Sequence, residues 1–209
     1  RAVERMFESV RRGEKVAVHG DFDVDGLTGC ALLVEALHAI ELDGSKLQPV
    51  PGFIPDRATD GYGVAERMVR QWAAEGVQLL ITVDTGAAAG AELALARELG
   101  METIVLDHHI FEERPPATAL VNPRREDATY PNDELCGVAV AFKFVQALKL
   151  KEPACLPDDF LAGVLDLVAL GLVADQMSLV GENRILVKKG LERFNDRAAI
   201  RPGLAALLE

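Results

Sequence analysis

Short apolar runs alternate with amphipathic ones over the first part of the chain, and this alternation predicts the architecture. The runs "KVAVHG", "LQPVPGFIP", "VQLLITVD", "METIVLD" and "ATALVN" are short and apolar, as is typical of strands. Pro49 and Pro51 in the second run indicate an edge strand. Strands that alternate with helices favour a parallel sheet covered on both faces. We therefore predict an α/β fold with a parallel sheet of about five strands.

The segments between these runs have the pattern of helices. "LTGCALLVEALHAIEL" is apolar nearly all round, which predicts a buried helix. "VAERMVRQWAAEG" places Val64, Met68 and Trp72 on one helical face and stops at Gly76. "GAELALARELG" predicts a further helix that ends at Gly100.

The pattern changes after about residue 122. "LCGVAVAFKFVQALKL", "PDDFLAGVLDLVALGLVADQ" and "NRILVKKGLERFN" all predict helices, and no strand pattern is convincing there. We therefore expect one domain over residues 1–209, with a sheet part over about 14–122 and a mainly helical part over about 135–209. The sequence begins at Arg1 inside a helix-like segment and stops after "GLAALLE", so we expect a piece of a longer protein.

Composition narrows the class of protein. Of the 209 residues, 49% are apolar and 26% charged, which is typical of a soluble globular protein. The formal net charge of −11 argues against a general nucleic-acid binder, although acids that surround cations weaken the argument. Cys30, Cys136 and Cys155 lack a CxxC pairing and predict reduced core thiols. Because no stretch fits a signal peptide or a membrane span, we expect a cytoplasmic protein without a membrane partner.

Acidic and histidine residues follow several of the predicted strands. "HGDFDVDG" places His19, Asp21, Asp23 and Asp25 on alternating positions, Asp84 ends the third strand, and "DHH" ends the fourth. A single such Asp is most often a turn residue or a helix cap. Carboxyl ends of parallel strands share one edge, however, and ligands collect there. Histidine and aspartate together suit Mn²⁺, Mg²⁺ or Zn²⁺, and so many candidate ligands are enough for two ions.

Asp175 gives a separate indication. It ends the apolar run "LDLVALGLVAD", and a carboxylate at the end of a buried helix needs a partner. A metal ion, a buried arginine and a helix cap all remain open at this point.

Four segments together resemble a known family. "HGDFDVDG", "VDTG", "DHH" and "VALGLVAD" resemble motifs I to IV of the DHH phosphoesterase superfamily, over roughly residues 14 to 209. "FIPDRATDGYG", "NPR" and "CGVAVAFK" resemble its bacterial RecJ branch. The resemblance implies a 5′→3′ exonuclease on single-stranded DNA in DNA repair and recombination, with two Mn²⁺ or Mg²⁺ ions. It also implies a helicase or a single-strand-binding protein as candidate partners.

The resemblance further implies the roles of the site residues. One ion would be held by His19, Asp23 and Asp84, with Asp84 as a bridge to the second ion. The remaining ligands of the second ion would be Asp25, His108 and Asp175, with Asp21 behind the ligands of the site. His109 would face the scissile phosphate, where it stabilises charge or protonates the leaving oxygen during in-line attack.

The loop "FIPDRATDGYG" has two readings. It is either a surface loop with a capping Asp, or a substrate contact in which Arg57 binds phosphate and Tyr62 stacks on a base. Arg124 and Arg125 are further candidates for phosphate contact.

Three alternatives to the exonuclease stay open. A DHH-type phosphodiesterase for short oligonucleotides or cyclic dinucleotides, or an inorganic pyrophosphatase, would use the same ligands, whereas a binding module would use no metal. The family normally continues into a second domain with a glycine-rich, histidine-containing motif, which this sequence lacks. We therefore expect a core that holds metal but grips DNA poorly.

Overall fold

A parallel five-stranded sheet forms the centre of the protein. The computed structural model describes residues 1–48, 51–195 and 200–207. The sheet contains β1 (Val16–Gly20), β4 (Gly52–Phe53), β5 (Leu79–Val83), β6 (Glu102–Leu106) and β7 (Ala119–Val121), in the order β4-β1-β5-β6-β7. A small antiparallel pair, β2 (Glu41–Leu42) and β3 (Ser45–Lys46), stands apart from it. The predicted α/β class and the edge position of the second predicted strand are confirmed, although Pro49 lies outside the described residues.

Helices cover both faces of this sheet. They are α1 (Ala2–Arg12), α2 (Val24–Ala39), α3 (Glu66–Ala74), α4 (Gly90–Glu98), α5 (Gly137–Lys151), α6 (Phe160–Gly163), α7 (Leu165–Ala174), α8 (Gly181–Phe194) and α9 (Pro202–Leu207), with a 3₁₀ turn at Pro153–Cys155. Beyond β7 the described residues form helices and no further strand, as the sequence predicts.

Alternate residues of each strand belong to two hydrophobic cores, as the pleat of a strand requires. Val16 and Val18 of β1 pack with α1, α2, α5 and α7, whereas Ala17 faces the core that α3 and α4 cover. Met68 and Trp72 of α3 are buried in that second core, as their helical spacing predicts. Both faces of the sheet are therefore dry, which explains the continuous apolar runs of β5 and β6.

Helix α2 starts three residues earlier than its apolar pattern predicts. Asp23 caps the helix, because its Oδ1 accepts a hydrogen bond of 3.0 Å from the amide of Gly26. The start at Val24 places Asp25 in the first turn, where it is buried. The motif "HGDFDVDG" therefore runs from the end of a strand directly into a buried helix.

The segment "PDDFLAGVLDLVALGLVADQ" forms two helices where one was predicted. The break falls at Val164, between α6 and α7. There the carbonyl oxygen of Gly163 accepts from Nη2 of Arg201 at 3.0 Å, and Asp166 Oδ2 accepts from Nε of the same arginine at 2.9 Å. This long-range partner, 38 residues from Gly163, is invisible to a local pattern.

Strand order locates the crevice of the sheet. The chain passes from β1 to β4 on one side and then returns to β5 on the other side of β1. Ligands of open parallel sheets bind at such a reversal, beyond the carboxyl ends of the strands. His19 is the second-to-last residue of β1, and Asp84 directly follows β5.

Two further expectations concern cysteines and membranes. Cys30, Cys136 and Cys155 are buried and unbonded, as predicted for core thiols. In the described part of the chain, each helix is too short or too polar to cross a lipid bilayer.

Candidate metal centre

Asp84 occupies the centre of the polar crevice. It follows β5 with a φ of 59°, a left-handed conformation that non-glycine residues rarely adopt. Its side chain is 1% exposed, and Gly137 at the start of α5 packs directly against it. A Cβ on Gly137 would lie 2.4 Å from Cβ of Asp84, so only glycine allows this helix to approach.

One ring nitrogen of His108 faces three carboxylates. Nε2 of His108 lies 3.1 Å from Oδ1 of Asp84, 3.7 Å from Oδ2 of Asp175 and 3.8 Å from Oδ2 of Asp25. Burial lowers the pKa of His108, so the ring is neutral and can act as a ligand. Asp25, His108 and Asp175 form a group whose ligand atoms lie within 4.8 Å of one another.

Asp25 is fixed by the N-terminus of α5. Its Oδ2 accepts from the amide of Gly137 at 2.5 Å, and its Oδ1 accepts from Val138 at 2.9 Å. Free amides and the helix dipole stabilise a carboxylate at this position. The sequence motif "CGVAVAFK" therefore serves to orient a carboxylate that lies more than a hundred residues earlier in the chain.

Asp21, Asp23 and Asp84 form a second group of candidate ligands within 4.8 Å of one another. Oδ1 of Asp21 is buried and has no hydrogen-bond partner. Burial, followed by repulsion from Asp23, raises the pKa of Asp21. Its unpaired oxygen lies among the candidate ligands, where the sequence had placed Asp21 only behind them.

His19 lies apart from these groups. Its Nδ1 donates a hydrogen bond of 2.9 Å to the carbonyl oxygen of Gly20, and its Nε2 accepts one of 3.0 Å from the amide of Ala65. Burial lowers its pKa to about 4. No candidate ligand group among the described residues includes His19, so its role as a ligand stays a prediction.

Asp107 organises the "DHH" segment. Its Oδ1 accepts from the amides of His108 and His109 at 2.7 and 3.1 Å, and from Nδ1 of His109 at 2.8 Å. Its Oδ2 accepts from the amide of Ala87 at 2.8 Å. Although burial raises the pKa of Asp107, the bonds from His109 and these amides outweigh it and lower the pKa.

The two histidines of this segment face different surroundings. The side chain of His109 is 55% exposed, whereas that of His108 is 7% exposed. The hydrogen bond to Asp107 raises the pKa of His109. Asp84, His108 and His109 also form a third group of candidate ligand atoms, in which Nδ1 of His109 lies 3.9 Å from Asp84.

The electrostatics of the crevice favour divalent cations. Burial, followed by repulsion from Asp25 and Asp23, raises the pKa of Asp84 to about 11. Burial and the same two carboxylates raise the pKa of Asp175 to about 6. Buried carboxylates at such short range require either protons or metal ions. Together with the unpaired Asp21 oxygen, the mixed aspartate and histidine donors fit Mn²⁺ or Mg²⁺.

A cleft of about 380 Å³ opens beside the carboxylates. The residues that line it include Asp21, Asp84, Asp107 and His109, together with Tyr62 and Glu92. His109 is thus the histidine of the pair that faces an accessible volume next to the candidate ligands.

Two of the predicted substrate residues lie together at the surface. Arg57 donates a hydrogen bond to the hydroxyl of Tyr62, and its guanidinium carbon lies 5.1 Å from the centre of that ring. Asp56 and Asp60 cap turns of the same loop, so both readings of "FIPDRATDGYG" are compatible with its structure.

The arginines after β7 are less clearly placed for substrate. Nε of Arg124 is 3.4 Å from the carbonyl of Asp133, and its backbone amide bonds to Asn122. Nη1 of Arg125 donates to the carbonyl of Leu120, and its Nε pairs with Asp127 at 3.1 Å, so this guanidinium is used within the chain.

Three supporting residues escaped the sequence analysis. Asp107, the first letter of "DHH", holds His109, and Asn122 donates to the carbonyl oxygen of His109 at 2.9 Å. Phe22 lies between two candidate ligands and contacts Tyr62. The role of Asp107 could have been predicted because it is the aspartate of the "DHH" motif, whereas the contacts of Asn122 and Phe22 depend on tertiary structure.

Comparisons with known proteins identify the family of this chain. Residues 15–172 match the model of the DHH family, N-terminal domain. Single-stranded-DNA-specific exonuclease RecJ from Salmonella typhimurium is 41% identical over 217 residues, which cover 100% of this chain and 36% of that protein. The enzyme of the same description from Bacillus subtilis is 40% identical over 209 residues, covering 100% of this chain and 25% of that protein. This chain therefore spans about a quarter to a third of the length of these relatives.

Solved structures of the same family also share the fold of this chain. A crystal structure of exonuclease RecJ bound to manganese superimposes with a TM-score of 0.78 at 39% identity, covering 92% of this chain and 46% of that one. RecJ from Thermus thermophilus in complex with Mn²⁺ gives a TM-score of 0.73 at 36% identity, covering 92% of this chain and 26% of that one.

Proposed function

The chain belongs to the DHH family, and on that premise we propose that it is the catalytic core of a single-stranded-DNA-specific exonuclease. Its relatives of about 40% identity carry that description. The proposed reaction is hydrolysis of phosphodiester bonds from the 5′ end, in DNA repair and recombination in the cytoplasm. A helicase or a single-strand-binding protein is the proposed partner.

The observation that carries the proposal is the contact of Asp84 with members of two groups of candidate ligands. Asp84 groups with Asp21 and Asp23, and its Oδ1 also lies 3.1 Å from Nε2 of His108, which groups with Asp25 and Asp175. We assign one Mn²⁺ or Mg²⁺ ion to each group, with Asp84 shared. When bound, such ions polarise a phosphoryl oxygen and lower the pKa of water. His19 would join the first group if its Nε2 left the amide of Ala65.

The protein's own residues supply orientation and a proton. Asp107 accepts the hydrogen bond from Nδ1 of His109, which leaves Nε2 of that ring for the leaving oxygen. Asn122 holds the backbone of His109 from the other side. The exposed ring of His109 lines the cleft, so a scissile phosphate there would lie between the histidine and the carboxylates.

The proposed DNA contacts include Tyr62, which lines this cleft, and Arg57, which contacts Tyr62. Arg57 would bind a phosphate and Tyr62, which is 71% exposed, would stack on a base. Arg124 would contact a further phosphate, whereas Arg125 is occupied by Asp127. These contacts place cationic and aromatic groups beside a strongly acidic centre.

End-labelled DNA tests the proposal. We expect the protein with Mn²⁺ to release the label of 5′-labelled single strands at once as a mononucleotide, to shorten 3′-labelled single strands progressively, and to leave duplex DNA intact. Asp84→Ala should reduce hydrolysis by at least about 10³-fold, because loss of a shared ligand disturbs both ions. Glu92→Ala, a change elsewhere in the same cleft, is the matched control and should retain activity. Wild-type turnover in Asp84→Ala would refute the metal assignment, and cleavage of pyrophosphate or dinucleotides alone would refute the substrate.

A further inference from the structure

Phe22 connects the candidate ligands to the proposed substrate residues. It lies between Asp21 and Asp23 in the chain, and its ring centre is 5.4 Å from that of Tyr62 in an edge-to-face arrangement. The guanidinium carbon of Arg57 lies 5.3 Å from the centre of the Phe22 ring. The segment that carries the candidate ligands Asp21 and Asp23 therefore meets the loop "FIPDRATDGYG" at the side chain of Phe22.

We propose that Phe22 is a positioning residue that holds Arg57 and Tyr62 in a fixed place relative to the metal ligands. The inference rests on the proposed function and deepens it, because it concerns how the terminal nucleotide of single-stranded DNA is received. Phe22 itself does not contact the reacting atoms. It acts through Tyr62 and Arg57, whose ring and guanidinium its own ring contacts.

The guanidinium of Arg57 depends on these rings for its position. Among the described residues Arg57 forms no ion pair with a carboxylate, and its side chain is exposed. Its recorded contacts are the rings of Phe22 and Tyr62 and the hydroxyl of Tyr62. An exposed arginine without such contacts samples many rotamers, and ordering it on binding would cost affinity.

The rest of the loop is anchored without Phe22. Asp60 accepts two hydrogen bonds from Arg67, and Asp56 accepts from the amide of Ala58 at 2.8 Å. Tyr62 stands between Gly61 and Gly63, whose φ values of 77° and 85° are left-handed. Removal of the Phe22 ring should therefore free Arg57 and the Tyr62 ring without unfolding the loop.

The positioning can be measured apart from catalysis. Ring currents of two aromatic side chains should displace the Nε–H signal of Arg57 in a ¹H–¹⁵N spectrum, and Arg57→Ala identifies that signal. We expect Phe22→Leu to move the signal to the position of a solvated arginine, whereas Phe22→Tyr keeps it. Phe160→Leu, which removes a partly buried ring from α6, is the matched control and should leave it unchanged. A signal in Phe22→Leu that loses only the Phe22 ring-current contribution and keeps the displacement caused by Tyr62 would overturn the proposal.

Kinetics on a 5′-phosphorylated oligothymidine test the consequence. We expect Phe22→Leu to raise KM roughly 3- to 10-fold, with kcat and calorimetric Mn²⁺ affinity unchanged. In an Arg57→Ala background the same change should have a much smaller effect, because the residue that Phe22 positions is gone. A fall in Mn²⁺ affinity, or an equally large rise in KM in the Arg57→Ala background, would show that Phe22 instead supports the segment that carries Asp21 and Asp23. Absence of hydrolysis by the wild type would refute the proposed function, and the Arg57 signal would still decide the positioning.

Discussion

The two ends of the sheet bury charged groups in opposite ways. At the amino ends of the strands, Arg5 is 6% exposed and pairs with Glu14 at 2.8 Å and with Glu102 at 2.5 Å. Ser9 donates to Glu14 at 2.7 Å and completes the network. At the carboxyl ends, Asp84 lies 3.1 Å from His108 and Asp25 accepts from backbone amides, and among the described residues neither aspartate forms an ion pair with a lysine or an arginine.

The pKa values follow this difference. Although burial raises the pKa of Glu14, the hydrogen bonds from Ser9 and Arg5 outweigh it, and the pKa lies below its ordinary value. Burial and neighbouring carboxylates instead raise the pKa of Asp84 to about 11. The charged groups at one end are neutralised within the chain, whereas the carboxylates at the other end need protons or cations from solution. A buried charge therefore indicates function only where its internal partner is missing.

Separating the two histidines gives the largest expected effect at the carboxyl end. If His109 is the proposed general acid and not a required ligand, His109→Ala should slow hydrolysis by about 10²- to 10⁴-fold even at saturating Mn²⁺. His108→Ala should instead weaken metal binding, and excess Mn²⁺ should restore part of the activity by mass action. Activity and calorimetry across a Mn²⁺ titration distinguish the two variants. If His109→Ala loses a bound metal ion and His108→Ala does not, His109 is the ligand and His108 the residue that faces the substrate.

Breaking the network at the amino end should affect stability and not metal. Arg5→Met leaves Glu14 buried with Ser9 and, at 3.5 Å, Arg12 as its remaining side-chain partners, and should cost about 3 to 5 kcal/mol. Arg11→Met, at an exposed position on the same helix, is the control and should change stability by less than about 0.5 kcal/mol. Urea unfolding measures both. If Arg5→Met instead lowered Mn²⁺ affinity in the folded protein, the two ends would not be independent.

Much of this contrast could be predicted from sequence. Continuous apolar runs indicate a sheet covered on both faces, and a parallel sheet brings strand ends together, so the positions of Asp84 and His108 follow from topology. The network at the amino end could not be found in this way, because Arg5, Glu14 and Glu102 come together only through packing.

The limits of sequence reasoning in the site have the same cause. Asp25 receives its partners from Gly137 and Val138, which lie 112 and 113 residues away. The apolar pattern of α2 gives no sign that the helix starts at Asp23, since capping depends on a side-chain hydrogen bond. The position of His19 depends on Ala65, which is brought to it by a loop that carries no periodic pattern.

Replacing one carboxyl group at the carboxyl end with an amide should stabilise the metal-free protein. The folded pKa values of Asp84, about 11, and Asp175, about 6, exceed the ordinary value of 3.8, so the folded state binds more protons above about pH 4. Stability with EDTA should therefore fall as pH rises from about 4 to 7. Asp84→Asn should gain about 1 to 3 kcal/mol at pH 7, with a flatter pH profile.

The matched control is a buried aspartate that has an internal cation. Asp166 is 2% exposed and pairs with Arg201 at 2.9 Å, so Asp166→Asn should destabilise the protein. Mn²⁺ should raise the melting temperature of wild type and Asp166→Asn, and do so much less in Asp84→Asn. Identical melting curves of the wild type in EDTA and in millimolar Mn²⁺ would contradict a metal centre.

The smallest expected effect decides whether His19 belongs to the centre. The ring of His19 lies 6.0 Å from that of Trp72, the single tryptophan of the sequence, so its emission reports on this contact. If His19 binds the first ion, its Nε2 must leave the amide of Ala65, and saturating Mg²⁺ should shift the emission slightly. Asp23→Ala should abolish the shift, whereas Asp43→Ala, at an exposed site beyond α2, should retain it. If calorimetry shows stoichiometric Mg²⁺ binding but the tryptophan emission does not change, His19 is a packing residue of β1 and not a ligand. Asp21, whose buried oxygen lacks a partner, would then complete the site with Asp23 and Asp84.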